Sequence, residues 1–252
     1  TEQPEAPEEA AAAPAPDSAA DGGQAQSSCV ECHTKMGGEM AQLVREFQAS
    51  VHREMDFGCT ECHGGDATSM DIFQAKSAEA GFIGKPSRET IHLVCDRCHG
   101  DPEVMKLYGN LRTDQLELYK TSSHGKALFE NGDTNVAVCV DCHTAHNILR
   151  VKNPNSTVYK KNIPQTCGQC HSDAGLMEIY DLPADIPEKY VESRHGQQLY
   201  EMDDLAAPVC NDCHGNHGAV PPGIEHIQDV CGNCHLKTEK YYNNSAHAEA
   251  FE

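Results

Sequence analysis

Tryptophan is absent from this sequence of 252 residues, and aromatic residues make up only 6% of it. Hydrophobic residues contribute 38%, below the roughly 45–50% that is usual for globular domains. Large apolar side chains supply most of the surface that a folded chain buries, so a conventional core would be thin. The composition therefore does not support an ordinary globular interior.

Long apolar runs and basic residues are also scarce. No run of 18 apolar residues occurs, so the sequence predicts no membrane-spanning helix. The chain has 19 Lys and Arg against 39 Asp and Glu, a formal net charge of −20. Phosphate-rich surfaces repel such a chain, which argues against nucleic acid and anionic lipid as partners. The charge favours basic or metal-bearing partners, or serves solubility alone. Neither a signal peptide nor a lipid-anchor cysteine is seen at Thr1.

Cysteine, by contrast, is abundant, and all 14 cysteines lie in one motif, Cys-x-x-Cys-His. This motif is the attachment signature of c-type haem: two thiols bind the porphyrin and the adjacent histidine ligates the iron. In chain order, motifs 1 to 7 are Cys29-Cys32-His33, Cys59-Cys62-His63, Cys95-Cys98-His99, Cys139-Cys142-His143, Cys167-Cys170-His171, Cys210-Cys213-His214 and Cys231-Cys234-His235. The sequence therefore predicts seven covalently attached haem c groups.

Proteins use Cys-x-x-Cys in three other ways. Zinc sites draw ligands from separated pairs and have no need of a histidine directly after the second cysteine. Redox-active dithiols usually occur once, near a strand–helix junction. A disulfide framework is the third possibility. Seven histidines after seven cysteine pairs favour haem over all three.

Haem groups would supply the apolar surface that the side chains lack. We therefore expect a mostly α fold with long loops and little or no sheet, packed around haem, and an apo chain that is largely unfolded. Residues 29–252 are predicted to form one seven-haem domain. Residues 1–28 are acidic and rich in Ala and Pro, which predicts a disordered tether. Because haem is attached to this motif outside the cytoplasm, the expected location is periplasmic or extracellular, after removal of an export signal.

The seven motifs fall into repeated two-haem units. His124 and His195 each precede glycine, and each is followed by the pattern Val-Cys-x-Asp-Cys-His-x-x-His, at Cys139 and Cys210. An earlier unit is degenerate, because Asp66 stands where the last histidine of that pattern would be. The units extend over approximately residues 50–110, 121–180 and 192–240.

Several helices are predicted to carry histidines toward these groups. Residues 38–55 have an amphipathic pattern. A second helix begins near Pro187, which suits a first turn, and continues through His195. Leu116, Lys120, His124 and Leu128 also follow one another at i, i+4 spacing. A last helix is expected over residues 237–251.

Histidines are numerous enough to give every haem a second axial ligand. Of the 15 histidines, seven lie in the motifs. The eight candidate distal ligands are His52, His92, His124, His146, His195, His217, His226 and His247. We predict mainly bis-histidine, low-potential haems, with at least one surplus histidine among His217, His226 and His247. The histidine of each His-x-x-His follows its own haem too closely and is expected to reach a neighbouring one.

Methionine is the alternative axial ligand. Met ligation would raise the reduction potential. Several of the seven methionines fit helix faces, where they are better explained as packing against porphyrin.

The motif array, the His-Gly elements at His124 and His195, and the Cys-His-x-x-His forms at His143 and His214 resemble the multihaem cytochrome c superfamily. Within it, the chain is similar to the periplasmic decahaem cytochromes of porin conduits and to the NapC/NirT and nitrifier tetrahaem groups. The count of seven motifs and the lack of a membrane helix differ from these groups. The resemblance implies electron transfer along stacked haems, in anaerobic respiration or extracellular electron transfer. Expected partners are redox proteins: other cytochromes, a quinol dehydrogenase or a terminal reductase.

The main hypothesis is therefore an electron carrier rather than an enzyme. One alternative is a reductase of nitrite, hydroxylamine or a sulfur oxyanion, which would keep one haem iron open. No Cys-x-x-Cys-Lys motif of the kind found in such reductases occurs. Another alternative is a subunit of an extracellular filament, in which His247 ligates a haem of the next subunit.

Overall fold

The computed structural model describes residues 27–223 and 226–250. Over these ranges the regular elements are short helices without any strand, which confirms the mostly α prediction. The α-helices are α1 (Ser28–Met36), α2 (Gly38–Gln48), α3 (Val51–Glu54), α4 (Thr60–His63), α5 (Ile72–Ala75), α6 (Ile91–His99), α7 (Pro102–Leu107), α8 (Gln115–Thr121), α9 (Ser123–Asn131), α10 (Cys139–His143), α11 (Ile163–His171), α12 (Ala174–Ile179), α13 (Ile186–Glu192), α14 (Arg194–Tyr200), α15 (Cys210–His214), α16 (Ile227–Gly232), α17 (Leu236–Tyr242) and α18 (Ala246–Glu249). A short 3₁₀ turn, Lys160–Asn162, precedes α11. All but the last two residues of the predicted tether lie outside the described residues.

The long helices predicted from the sequence are each broken at a serine. The predicted helix over residues 38–55 ends at Gln48 and restarts at Val51, because Ser50 adopts an extended backbone and its side chain accepts a hydrogen bond from the Arg53 N–H. The same break separates α8 from α9 at Ser122 and α13 from α14 at Ser193. A serine at this position stabilises the start of the second helix and offers the chain a local alternative to continuing the first.

The predicted last helix over residues 237–251 is also divided at a serine, although the Ser245 side chain accepts no capping hydrogen bond. Helix α17 ends at Tyr242 and α18 begins at Ala246, with an extended residue at Ser245. Pro187 does lie in the first turn of α13, as predicted. The spacing from Leu116 to Leu128 does not mark one helix, because Ser122 interrupts it.

Two glycines allow the helices on either side of a serine to meet at close range. A Cβ atom on Gly125 would collide with the Tyr119 carbonyl, and one on Gly196 would collide with the Tyr190 carbonyl. Both glycines therefore lie inside helices, at positions where any larger residue would push the two helices apart. This packing holds the histidine that precedes each glycine, His124 or His195, near the helix junction.

The apolar core consists of two small clusters at equivalent positions. Buried Leu128, Val136 and Val138 form the first, and buried Leu199, Ala207 and Val209 form the second. Corresponding members are separated by 71 residues in the sequence. The equivalence extends to hydrogen bonds: the Tyr119 hydroxyl donates to the Ala137 carbonyl over 2.8 Å, and the Tyr190 hydroxyl donates to the Pro208 carbonyl over 2.9 Å.

Large apolar side chains elsewhere remain uncovered by protein. Phe73 is 85% exposed, Leu107 78% and Tyr241 77%. By comparison, only ten apolar residues of the described part of the chain are buried. The side chains alone therefore form only a small buried interior, which agrees with the expectation that cofactors are bound.

None of the helices in the described part of the chain has both the length and the apolar character needed to cross a membrane.

Candidate cofactor-binding site

Each Cys-x-x-Cys-His motif that lies in a helix occupies about one turn of it. Residues three and four positions apart lie on the same helix face, so both thiols and the histidine ring project to one side. In motifs 4 and 6 this turn is a whole helix, α10 and α15. All 14 cysteines are free thiols in the structure. The arrangement could bind one flat group per motif through two thiols and one imidazole.

The cysteines were also compared with what a disulfide framework or a zinc cluster would require. No two cysteines are bonded to each other. Across residues 27–223 and 226–250, no group of three or more His, Cys, Asp and Glu side chains is arranged to hold a metal ion.

Five of the seven motif histidines face a second histidine that is remote in sequence. The separation of the two ring centroids is 6.0 or 6.1 Å in every case. The pairs are His99 with His52, His63 with His146, His171 with His124, His143 with His217, and His235 with His195. In each pair one ring comes from a motif and the other from the eight candidate distal histidines.

This separation matches what one iron between two imidazoles requires. Metal–imidazole bonds are about 2 Å long, and each ring centroid lies about 1 Å behind its nitrogen, which gives roughly 6 Å between centroids. Edge contacts between ordinary rings reach similar separations, as for Tyr119 and Phe129 at 6.0 Å, so the distance gains its meaning from the recurrence of motif histidines opposite remote ones. Thus the residues present fit a haem iron with histidines on both faces.

Burial keeps these imidazoles in the form that binds metal. Desolvation lowers the pKa of His143 to about 4, with the neighbouring His217 contributing. Desolvation is also the first cause of a lowered pKa at six further paired histidines: His52, His99, His124, His146, His171 and His217. A neutral imidazole keeps a nitrogen lone pair for the iron.

Two motif histidines have a backbone carbonyl partner that orients the ring. His63 Nδ1 lies 2.8 Å from the Gly84 carbonyl oxygen, and His214 Nδ1 lies 3.1 Å from that of Val220. With Nδ1–H donating to these carbonyls, Nε2 is left as the metal-binding atom. Such an outer hydrogen bond fixes the tautomer and raises the basicity of the ligand.

The first class of remote histidine follows a capping serine by two residues and faces the second of the two motifs that come after it in the chain. The three pairs are His52 with His99, His124 with His171, and His195 with His235. The sequence separations are 47, 47 and 40 residues. Because the serine fixes the start of the helix, it also fixes the direction in which the histidine projects.

The second class consists of the last histidine of His-x-x-His, which faces the motif two places earlier in the chain than its own. His146 faces His63, and His217 faces His143. Both histidines therefore reach back along the chain. After motif 2, Asp66 stands at the position of this histidine, and its carboxylate accepts hydrogen bonds from the backbone and hydroxyl of Thr68.

Neighbouring motifs are in direct proximity through their cysteines. Burial raises the pKa of Cys59 to about 11, with Cys29 of motif 1 contributing. Cys95 and Cys139, in motifs 3 and 4, lie on helices α6 and α10, which pack together, and the Cys139 thiol raises the pKa of Cys95 while the Cys95 thiol lowers that of Cys139. The same holds for Cys167 and Cys210, in motifs 5 and 6. Weaker electrostatic contacts link motifs 2 and 3, 4 and 5, and 6 and 7. The order of the motifs in space thus follows their order in the chain.

Two ion pairs that the sequence analysis missed fasten these neighbouring motifs together. Arg88 binds both carboxylate oxygens of Asp141, at 3.1 and 2.6 Å. Lys160 lies 3.3 Å from Asp212. Each basic residue stands seven positions before a second motif, and each aspartate lies inside a first motif. That shared position was the signal available in the sequence.

The histidines outside the five pairs have neighbours other than a facing histidine. Among the described residues, no histidine ring faces His33 or His214 in this way. The ring of His92 packs edge-on against Phe129 at 4.8 Å, and its Nδ1 is buried without a hydrogen-bond partner. His226 lies 3.4 Å from the Asp229 carboxylate, and His247 is exposed on α18. The structure therefore brings together five of the eight candidate distal histidines with motif histidines.

Comparisons with known proteins match two families of c-type cytochromes. A model of the cytochrome c3 family matches residues 51–172. A model of the cytochrome c554 and c-prime family matches residues 2–64. No curated protein and no solved structure matches the chain. The two matched regions together contain motifs 1 to 5 and three of the five facing histidine pairs.

Proposed function

We propose, on the premise that this chain is a multihaem c-type cytochrome, that it transfers electrons through seven covalently bound haems arranged in series. When bound, haem c supplies the one-electron chemistry. The protein residues hold the groups, set their order and orient their axial ligands. The observation that carries the proposal is the set of five facing histidine pairs, each 6.0–6.1 Å between ring centroids.

The ligands proposed for these groups follow the contacts in the structure. The 14 motif cysteines hold the porphyrins, and the seven motif histidines are the proximal ligands. His52, His124, His146, His195 and His217 are the distal ligands of motifs 3, 5, 2, 7 and 4. Histidines on both faces of an iron favour a low potential and leave no free position for a small molecule. That combination suits a carrier in anaerobic respiration or extracellular electron transfer.

The location and partners are proposed from the same chemistry. A periplasmic or extracellular site agrees with haem attachment outside the cytoplasm. Redox proteins, such as other cytochromes, a quinol dehydrogenase or a terminal reductase, are the proposed partners. A net charge of −20 favours partners that present a basic surface.

Haem counting and electron paramagnetic resonance test this proposal. The intact mass of the purified holoprotein should exceed that of the polypeptide by seven haem groups. Spectra of the oxidised protein should show at least five low-spin irons with histidines on both sides. Fewer than five, or an intact mass that shows no attached haem, would refute the assignment.

A second candidate function is supported by one observation at motif 6. Among the described residues no histidine ring faces His214, so the opposite side of this position could accept a substrate. A reductase of nitrite, hydroxylamine or a sulfur oxyanion would use such a position. Steady-state assays with each substrate and a reduced dye test it, and absence of turnover with all three would leave the carrier as the remaining function.

A further inference from the structure

The five facing histidine pairs fall into two groups by the angle between their ring planes. The rings are nearly parallel, at 18°, 14° and 28°, in the pairs of motifs 2, 4 and 7, which we call the parallel pairs. They are turned by 62° and 54° in the pairs of motifs 3 and 5, which we call the crossed pairs. Because the centroid separation is 6.0 or 6.1 Å in every pair, the two groups differ in orientation and not in distance.

The crossed pairs alternate with parallel pairs along the chain. Motifs 2 and 4 have parallel pairs, and motifs 3 and 5 have crossed ones. Helix α10, which is motif 4, packs on α6, which carries motif 3, and also on α11, which carries motif 5. One parallel pair therefore lies between the two crossed pairs.

Phe57 holds the ring plane of the crossed pair at motif 3. Its ring packs edge-on against His52, with 5.9 Å between centroids and 79° between planes. The Phe57 N–H also donates to the His52 carbonyl over 3.0 Å, so the two residues are joined through the backbone as well. Tyr108 in turn contacts Phe57, with 5.4 Å between centroids. Because rotation of the His52 ring would bring it against Phe57, this aromatic contact sets the crossed orientation.

A different contact holds the ring plane of the parallel pair at motif 2. His63 Nδ1 lies 2.8 Å from the Gly84 carbonyl oxygen. A ring N–H points along the plane of its own ring, so donating this bond fixes the plane as well as the tautomer. The Ile83 N–H donates to the His63 carbonyl over 2.9 Å and keeps Gly84 beside the ring. In both groups, therefore, neighbouring residues fix the plane of an axial ring.

The angle between the planes matters because an imidazole donates π electron density perpendicular to its ring. Two parallel rings act on the same iron d orbital and separate it in energy from the orbital at right angles to it. Crossed rings act on both orbitals and leave them nearly equal. In ferric iron, separated orbitals give a rhombic electron paramagnetic resonance signal, and nearly equal orbitals give a single feature at low field. The separation also stabilises the ferric state, so crossed rings raise the reduction potential of an otherwise similar haem, whose axial ligands are one of the protein's controls.

From these planes we infer that motifs 3 and 5 hold a separate electronic class of haem, which takes up the first two electrons among the five histidine-paired groups. This inference rests on the proposed function. Each of the two irons passes from ferric to ferrous by accepting one electron from a reduced redox protein, and no bond forms or breaks. Electrons at motifs 3 and 5 also repel each other less than electrons at adjacent motifs, because motif 4 lies between them. The carrier thus stores two electrons at separated positions.

Electron paramagnetic resonance of the holoprotein tests the inference, and three variants assign the signals. The oxidised wild type should show both low-field and rhombic signals. His52→Ala and His124→Ala should each remove one low-field signal, because they dismantle the crossed pairs. His146→Ala should remove a rhombic signal instead, because it dismantles a parallel pair. In a stepwise reduction with dithionite and mediator dyes, the two assigned low-field signals should disappear before the rhombic ones.

Phe57→Leu tests the positioning role of the aromatic contact, with Phe129→Leu as the matched control. Phe129 also packs edge-on against a histidine, His92 at 4.8 Å, but that histidine belongs to none of the five pairs. Phe57→Leu should shift or remove one low-field signal and lower the potential of that group, whereas the control should change neither. Phe57→Tyr keeps the aromatic ring and should retain the wild-type signal. An intact mass with seven haems in all three variants shows that the groups are still attached.

Other outcomes overturn the inference. Rhombic signals alone in the wild type contradict it, and so does loss of the rhombic signals first during reduction. Equal low-field signals in the wild type, His52→Ala and His124→Ala would also contradict it. The proposed function fails separately: an intact mass without attached haem refutes the carrier, whereas seven haems with five low-spin irons of one class refute only the division into two classes.

Discussion

Arg88 donates two hydrogen bonds to Asp141, joining the segment that leads into motif 3 to the helix of motif 4. The same guanidinium donates to the carbonyls of Thr134 and Val136, each over 2.7 Å. Asp141 in turn accepts from the Val138 N–H over 2.6 Å. One arginine thus fastens two motifs whose cysteines interact, and it does so with the planar fork that lysine lacks.

Arg88→Lys should therefore lower stability. Lysine keeps the charge but loses the paired hydrogen bonds, and because both groups are partly exposed the expected loss is about 1 kcal/mol. Denaturant unfolding followed by circular dichroism measures it. Arg53→Lys is the control, since Arg53 forms an exposed pair with Asp56 and should change stability by less than about 0.5 kcal/mol. Equal effects of the two substitutions would show that Arg88 has no special role.

His217→Ala should free one axial position without loss of haem. His217 faces His143 from the following unit, so its removal leaves the motif 4 iron with one histidine. Electron paramagnetic resonance should gain one high-spin iron per chain, while the intact mass still shows seven haems. The potential of that group should also rise, because an axial histidine has been lost. An unchanged spectrum would mean that the 6.0 Å pair does not flank an iron.

Tyr180→Phe should remove a pH-dependent contribution to stability. The Tyr180 hydroxyl donates to the Asp133 carboxylate over 2.7 Å. Burial and this bond raise the pKa of Tyr180 to about 12. A raised pKa means that the stabilisation is present below the pKa of an unfolded tyrosine, about 10, and is lost as the pH rises toward the folded value.

The same bond acts in the opposite direction in acid. Hydrogen bonding from Tyr180 lowers the pKa of Asp133, so its stabilisation is present above the unfolded carboxyl pKa and is lost as the pH falls through the folded value. Wild type and Tyr180→Phe should therefore differ most between about pH 5 and pH 9 and converge at both extremes. A stability difference that persists unchanged below about pH 3 and above about pH 12 would contradict this account.

Preventing haem attachment should unfold the chain. Among the described residues the buried apolar side chains form two small clusters and a few separate positions, and many large apolar side chains are exposed. Protein produced without the attachment machinery should show little helical circular dichroism and no cooperative thermal transition. The holoprotein, measured at the same concentration, is the control. A cooperative transition in the apo chain would show that side-chain packing alone suffices for folding.

The sequence was most informative about chemistry. The attachment chemistry could be predicted from the motif alone, because two thiols and a histidine on one helical turn suit one attached group. The choice of helix over strand also followed from the sequence, and so did the equivalence of residues around His124 and His195. The interpretation that His146 reaches a neighbouring haem agrees with its position opposite His63, and it stays a prediction until a ligand is measured.

Two features could not be predicted from the sequence. The helix breaks depend on local hydrogen bonds, and the pairing of histidines depends on contacts between distant parts of the chain. Apolar spacing predicted unbroken helices, but hydrogen bonding by Ser50 and Ser193 ended them. The spacing of apolar residues gives no information about such a capping hydrogen bond. The partner of each distal histidine was unpredictable for another reason: His217 and His143 are 74 residues apart, and their meeting depends on how whole units pack.

The backward reach of His146 and His217 has a consequence for how the molecule matures. In the proposed exported carrier, Cys59 and Cys62 would reach the attachment machinery long before His146, which lies 83 residues after His63. The haems proposed at motifs 2 and 4 would therefore lack a distal ligand until His146 and His217 have emerged. Completion of these two sites would then depend on synthesis and folding of later parts of the chain.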